Sequence, residues 1–178
     1  LAFSSINHIG FILLGMMSYK LMSEGTLFFY LIIYLITIFG IFAVILNLRT
    51  VDGEVTKISD LNGLRFTSRP KAIALLVFLF SLAGIPPFAG FFAKFFILSA
   101  SVNEGLYLLS IIAVISSVIA AFYYLSVIKN MFFNDSKTEL LLDNNKISSI
   151  VFIVSALIVT LFFFYPDPLI DLVDILFS

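Results

Sequence analysis

The stretch SLAGIPPFAGFFAKFF, residues 81–96, places two adjacent prolines inside a long apolar run and follows them with a lysine. The surrounding apolar segment, 72–102, is longer than the ~20 residues that a helix needs to cross a membrane. Prolines have no amide hydrogen, and the first also turns the preceding residue away from helical geometry. The sequence therefore predicts a helix broken near 84–88. The residues expected to form the break are Gly84, Pro86, Pro87 and Gly90.

The composition indicates an all-α integral membrane protein. Of 178 residues, 61% are hydrophobic and 12% are charged, whereas a soluble domain carries about twice that charged fraction. The chain has no cysteine, so it can ligate no Fe–S cluster and form no disulfide. The net charge of −1 gives no reason to expect nucleic acid as a partner.

Five apolar runs are long enough to cross about 30 Å of hydrocarbon. We predict a single membrane domain over residues 1–178, with the third of its five helices discontinuous. The predicted spans are 1–19, 26–48, 72–102 with its break, 106–128 and 147–165. The remaining segment, 166–178, alternates acidic and apolar residues, which predicts either a short amphipathic helix along the outer interface or an irregular segment.

The two long polar loops, 49–71 and 129–146, fall on the same side of the membrane when five spans are threaded in order. They hold eight of the ten Lys and Arg residues. The positive-inside rule then predicts that these loops face the matrix or cytoplasm and that the C-terminus faces outward.

Lys94 has the clearest functional implication. No other charge lies between Lys71 and Glu104, so Lys94 is expected near mid-membrane, where a charged lysine costs at least ~2.5 kcal/mol. It should be neutral for part of a working cycle, or paired. None of the eleven acids lies in an apolar span, so we expect its counter-ion from another chain, from helices that precede this segment, or from water. Gly90, one turn earlier, opens that helix face to water or to a partner helix.

The prolines alone favour a kink that neighbouring helices accommodate, and Lys94 shifts the balance towards an ion site of the kind built on broken helices. The break should leave backbone carbonyls near 81–84 without donors. His8, the only histidine, lies in the polar patch SSINH, where a structural hydrogen bond and a proton relay are equally expected. Ser116 and Ser117 indicate a helix-packing face and, more weakly, the lining of a water file. Tyr123 and Tyr124 are expected near the interface.

Four segments resemble a known family. They are LAFSSINHIGF at 1–11, RPKAIALLVFLFSLAGIPPFAGFFAKFFIL at 69–98, SVIAAFYYLSVIKNMFF at 117–133 and LFFFYPDPL at 161–169. Together they are similar to the C-terminal portion of the NADH dehydrogenase subunit 2 family of respiratory complex I, the counterpart of bacterial NADH-quinone oxidoreductase subunit N. The similarity covers nearly the whole chain, and sister antiporter-like subunits carry related but different blocks.

The resemblance implies an antiporter-like fold of fourteen transmembrane helices in two inverted repeats, of which these five are similar to the last five. It implies that Lys94 transfers protons on a central hydrophilic axis and that His8 relays them. No cofactor is expected in this chain, because NADH, flavin, Fe–S clusters and quinone would bind other subunits. The expected partners are a chain carrying the missing N-terminal spans, other membrane subunits of complex I, and the lipid bilayer.

The first residue is Leu, and the family's first nine spans are absent, so we expect a fragment or a split subunit and favour a split mitochondrial gene. The expected location is the mitochondrial inner membrane, with the bacterial plasma membrane as the alternative. The leading hypothesis is a part of a proton-translocating subunit of NADH:ubiquinone oxidoreductase. The alternatives are a structural or assembly subunit without its own proton path, and a subunit of a related cation/proton antiporter.

Overall fold

A computed structural model of the chain describes residues 2–18, 24–50, 53–135, 140–142, 145–162 and 164. These residues form a bundle of helices with one small sheet. The elements, in order, are α1 (Ala2–Met17), α2 (Glu24–Leu46), β1 (Leu48–Thr50), β2 (Gly53–Glu54), a 3₁₀ turn (Ile58–Leu61), α3 (Leu64–Thr67), α4 (Arg69–Ala83), α5 (Ala89–Asn103), α6 (Tyr107–Phe133), β3 (Leu140–Leu142) and α7 (Lys146–Leu161).

Two helices of the described part are long and apolar enough to span a membrane, Gly25–Leu46 and Tyr107–Phe133, while α1, α5 and α7 are apolar but shorter. The predicted fourth span ends at 128, but α6 continues to Phe133. It continues because the extra turn holds only one charged residue and no proline or glycine to end it. The predicted amphipathic tail, 166–178, lies outside the described residues.

The helix interruption covers residues 84–88, the segment in which the sequence predicts the break. Gly84 caps α4 in a left-handed conformation, with φ of 79°, which glycine adopts without steric cost. Its amide and that of Ile85 both donate to the carbonyl of Phe80, an arrangement that commonly ends helices. Phe88 is extended and precedes the first residue of α5.

The core of the bundle consists of two groups of buried apolar side chains. The larger group joins α2, α4, α6 and α7 and includes Val44, Phe78 and Val159. The smaller one joins α1, α2 and α5 and includes Phe11 and Ile97. The two half-helices of the break, α4 and α5, therefore sit in different groups, and the break lies between them.

The two long polar loops carry a three-stranded antiparallel sheet. Strand β1 is central and pairs with β2 on one side and β3 on the other. Arg49 of the first loop lies opposite Leu141 of the second. This pairing brings the two loops to the same end of the bundle. The sequence did not predict the strands because each is three residues or fewer, too short to show alternation.

Candidate functional site at the helix break

Lys94 lies on α5 and points back at the end of α4. Its side chain is 6% exposed, and its Nζ donates to the carbonyl of Leu82 at 2.8 Å, with the carbonyl of Ala83 at 3.5 Å. In an uninterrupted helix these carbonyls would accept from the amides four residues later. Those residues are Pro86 and Pro87, which have no amide hydrogen. The lysine therefore contacts the two carbonyls whose helical donors the prolines remove.

Two other helices complete the surroundings of the ammonium group. The hydroxyl of Ser117 on α6 accepts from Nζ at 2.8 Å, and Nζ lies 5.2 Å from the centroid of the Phe11 ring on α1. An aromatic face at this distance attracts a cation, and the C-terminal end of α4 adds the negative end of its dipole. Among the described residues, neutral oxygens and a ring surround Lys94, with no carboxylate in contact.

Gly90 lies where α5 makes close backbone contact with α4. Its amide donates to the hydroxyl of Ser81 at 3.1 Å, and a Cβ at this position would overlap the backbone carbonyl of Ser81. Of the two predicted neighbours of this face, water or a partner helix, the structure shows a helix, the other half of the broken one.

His8 lies on α1 and is 4% exposed. Its Nδ1 is 2.6 Å from the hydroxyl of Tyr30, and its ring stacks on Tyr34 with centroids 4.6 Å apart. Within the described part of the chain, its Nε2 has no hydrogen-bond partner. His8 shares a cavity of about 10 Å³ with Ser81 and Gly90, which has room for about one water. The structure thus brings His8 to the break, although no described hydrogen bond joins it to Lys94.

The rest of the SSINH patch ties α1 to its neighbours. Ser4 hydrogen-bonds to Tyr124 of α6, and Ser5 accepts from Tyr34 of α2 at 3.2 Å. Tyr124 is 4% exposed and faces α1 through its bond to Ser4, and its place near the membrane interface stays a prediction.

Ser117 is a partner of Lys94 that the sequence named but could not assign to the lysine. The sequence indicated a packing face for both serines of α6, but only one of them reaches the lysine. Ser116 instead donates to the carbonyl of Ala113 in its own helix, at 2.9 Å. A small polar residue on an apolar helix was the available signal, but spacing alone could not select between adjacent serines.

A larger cavity of about 1020 Å³ lies between α1 and α6, beyond the break. Ser4, Asn7, Ser116 and Tyr124 provide polar atoms in a lining that is mostly apolar. The two side-chain amide atoms of Asn7 are buried and have no partner in the described part of the chain.

Comparisons with known proteins give a consistent result. The family described as NADH:quinone oxidoreductase/Mrp antiporter, TM, matches residues 1–120. NADH-quinone oxidoreductase subunit N of Rhodospirillum rubrum is 45% identical over 140 residues, which are 79% of this chain and 29% of that protein. The subunit N of Parvibaculum lavamentivorans is 38% identical over 170 residues, which are 96% of this chain and 35% of that protein. The chain thus spans about a third of the length of these relatives.

One solved structure supports the fold. A chain of the respiratory complex I from Thermus thermophilus with bound aureothin superposes with a TM-score of 0.81 at 23% sequence identity. The superposition covers 94% of this chain and 38% of that one. At this level of identity the likeness shows a shared arrangement of helices.

Proposed function

Because the chain belongs to the NADH:quinone oxidoreductase/Mrp antiporter transmembrane family, we propose that it is part of a proton-translocating, antiporter-like subunit of NADH:ubiquinone oxidoreductase. The observation that carries the proposal is the buried ammonium of Lys94 on the carbonyls of Leu82 and Ala83. A buried lysine held by neutral groups can lose and regain a proton without breaking an ion pair. This chain does no redox chemistry in the proposal, and NADH, flavin, Fe–S clusters and quinone belong to other subunits.

The surroundings of Lys94 support the proposal that a distant charge controls its protonation. At an effective dielectric constant of about 20, a unit charge at about 10 Å changes the free energy of protonation by about 1.7 kcal/mol. That change alters the protonation equilibrium more than tenfold. No described carboxylate stabilises the charged form of Lys94. A charge that arrives near the site during turnover therefore decides whether Lys94 holds its proton.

His8 is the proposed relay between Lys94 and the next proton carrier. Its Nε2 has no described hydrogen-bond partner, and the residue lines the small cavity beside Ser81 and Gly90. Its Nδ1 is held by Tyr30, which fixes the orientation of the ring. An imidazole placed in this way can exchange a proton at Nε2 with a water molecule in the cavity.

The proposed partners are helices equivalent to the remaining two thirds of the relatives, in the same or a separate polypeptide, together with other membrane subunits of complex I. The cavity between α1 and α6 supports this proposal, because its mostly apolar lining includes the polar side chains of Ser4, Asn7 and Ser116. Hydrocarbon cannot satisfy polar side chains, whereas a neighbouring helix with polar groups of its own can.

The proposed location is the mitochondrial inner membrane, with the bacterial plasma membrane as the alternative. The paired long loops would face the matrix or cytoplasm. Because the chain has no cysteine, Lys57→Cys and Asn103→Cys can each be labelled alone with an impermeant maleimide. Labelling of position 57 from the matrix or cytoplasmic side and of position 103 from the opposite side is expected. The reverse result would overturn the sidedness.

Substituting Lys94 by Met tests the function directly. The assembled complex should form, because methionine fills a similar volume, while fewer protons are translocated per NADH oxidised. Lys71→Met is the matched control, since Lys71 is 5% exposed and donates to the carbonyl of Asn47, away from the break. It should leave the ratio of protons to NADH unchanged even if less complex assembles. A normal ratio in Lys94→Met would reject the proposed role.

The enclosure of Lys94 supports a second candidate, a structural subunit that pumps no protons. The described hydrogen bonds of Nζ are all internal, as expected for a lysine that simply compensates the broken helix. A Lys94→Met complex with a normal proton ratio but reduced stability would favour this role. The family description also includes Mrp antiporters, and identifying the subunits that copurify with the chain decides between the two assemblies.

A further inference from the structure

The hydroxyl of Ser117 differs chemically from the other oxygens around Lys94. The carbonyls of Leu82 and Ala83 can only accept hydrogen bonds, and they belong to the same half-helix. Ser117 approaches from a different helix, with its oxygen 2.8 Å from Nζ. A hydroxyl can both accept and donate, so this oxygen is the one described group at Nζ that also carries a hydrogen.

We propose that Ser117 is a positioning residue whose hydroxyl forms a hydrogen bond with Lys94 in both protonation states of the lysine. This inference rests on the function proposed above. The ammonium has three N–H groups and no lone pair, so the hydroxyl accepts from it. The neutral amine has a lone pair that needs a donor, and the hydroxyl rotates to provide one. The same oxygen therefore keeps Nζ in place before and after the proton leaves.

The role of Ser117 follows because a carbonyl cannot donate a hydrogen bond. When Lys94 loses its proton, the carbonyls of Leu82 and Ala83 keep accepting its remaining N–H groups, but they offer nothing to the lone pair. A buried acceptor without a donor is destabilising. By removing this cost, Ser117 makes the neutral state of the lysine accessible within the packed site.

The chain provides a matched control in the preceding residue. Ser116 is also partly buried on α6, but its hydroxyl donates to the carbonyl of Ala113. Neighbouring residues of a helix point about 100° apart, so the two serines face different surroundings. Loss of the Ser116 hydroxyl should leave proton translocation unchanged.

Thr and Val at position 117 separate the hydroxyl from the volume of the side chain, because the two residues have the same shape. Proton translocation per NADH is measured across a pH series in the intact complex for Ser117→Thr, Ser117→Val and Ser116→Ala. Ser117→Thr should retain at least half of the normal ratio. Ser117→Val should reduce the ratio severalfold and displace its pH profile by about half to one unit, the effect of one hydrogen bond.

The outcomes separate this inference from the proposed function. If Lys94→Met translocates protons normally, the proposed function fails, and the role of Ser117 fails with it. If Lys94→Met is defective while Ser117→Val and Ser117→Thr have the same ratio and pH profile, only the positioning role is overturned. Equal losses of assembly in the Thr and Val variants with unchanged pH profiles would also overturn it, because they would show a packing role alone.

Discussion

The amide of Gly90 donates to the hydroxyl of Ser81 across the helix break, at 3.1 Å. This bond joins the first turn of α5 to the last turn of α4, where no side chain stands between the two backbones. Lys94, one turn further along α5, reaches the free carbonyls of α4 from this close crossing. The absence of a side chain at Gly90 is therefore a condition for the lysine site.

Gly90→Ala should destabilise the subunit. A Cβ at this position would overlap the backbone carbonyl of Ser81, which cannot move aside as a flexible side chain does. Overpacking of this kind costs about 1–3 kcal/mol, and it should appear as less assembled complex and a lower thermal midpoint. Ser81→Ala is the comparison, because it removes the hydroxyl but keeps the carbonyl and should cost about 0.5–1.5 kcal/mol. Normal assembly of Gly90→Ala would contradict the observed crossing.

The turn at Asp60 should depend on pH. The carboxylate accepts from the amides of Lys57 at 2.8 Å and Thr56 at 3.1 Å, and these bonds lower the pKa of Asp60 below its usual value of 3.8. Because the folded pKa is lowered, the stabilisation is present above the unfolded pKa and is lost as the pH falls through the lower folded value.

Hydrogen exchange at the amides of Thr56 and Lys57 measures this effect. Relative to amides of the adjoining helix α4, their protection should decrease only below about pH 4, near the usual pKa of a carboxyl group. Asp60→Asn should weaken their protection at neutral pH and remove the acid dependence. Unchanged protection in that variant would mean that the carboxylate does not hold the turn.

Tyr30→Phe should affect both the stability of the helix bundle and the proposed relay. Tyr30 is 2% exposed, and its hydroxyl is the described partner of His8 Nδ1. Leaving that nitrogen unsatisfied costs about 1–3 kcal/mol, and the ring loses its fixed orientation. Lower assembly together with a lower ratio of protons to NADH is expected. Tyr107→Phe, at a side chain 62% exposed, serves as the control and should match the unsubstituted protein in both measurements.

The sequence predicts those features of the site whose physical cause lies within one short segment of the chain. Two prolines remove two amide donors wherever they occur, so the break and the free carbonyls follow from the sequence alone, and the structure places Lys94 on two of those carbonyls. The partner on α6 does not follow, because selecting Ser117 over Ser116 requires the rotation of one helix about its axis relative to another. That rotation is fixed by packing across the whole bundle.

The sheet was missed for a similar reason. Thr50 pairs with Leu140, two residues far apart in sequence and each within a strand too short for a visible pattern. The deciding contacts of the sheet are between distant segments of the chain. The membrane boundaries of the five spans and the roles of Lys94 and His8 remain predictions.

Gly84→Ala should separate backbone strain from the effect on Lys94. Gly84 has φ of 79° and Gly105 has φ of 77°, and an alanine in this conformation costs about 1–2 kcal/mol. At Gly105 a Cβ would meet no atom within 4 Å, whereas at Gly84 it would lie 3.1 Å from Cδ of Lys94. Both variants should therefore lose similar stability, but only Gly84→Ala should push the lysine away from the carbonyls and lower the ratio of protons to NADH. Thermal midpoints of the purified complexes and proton translocation in reconstituted vesicles provide the two measurements. Equal ratios in the two variants would show that the position of Lys94 beside Gly84 does not matter for translocation.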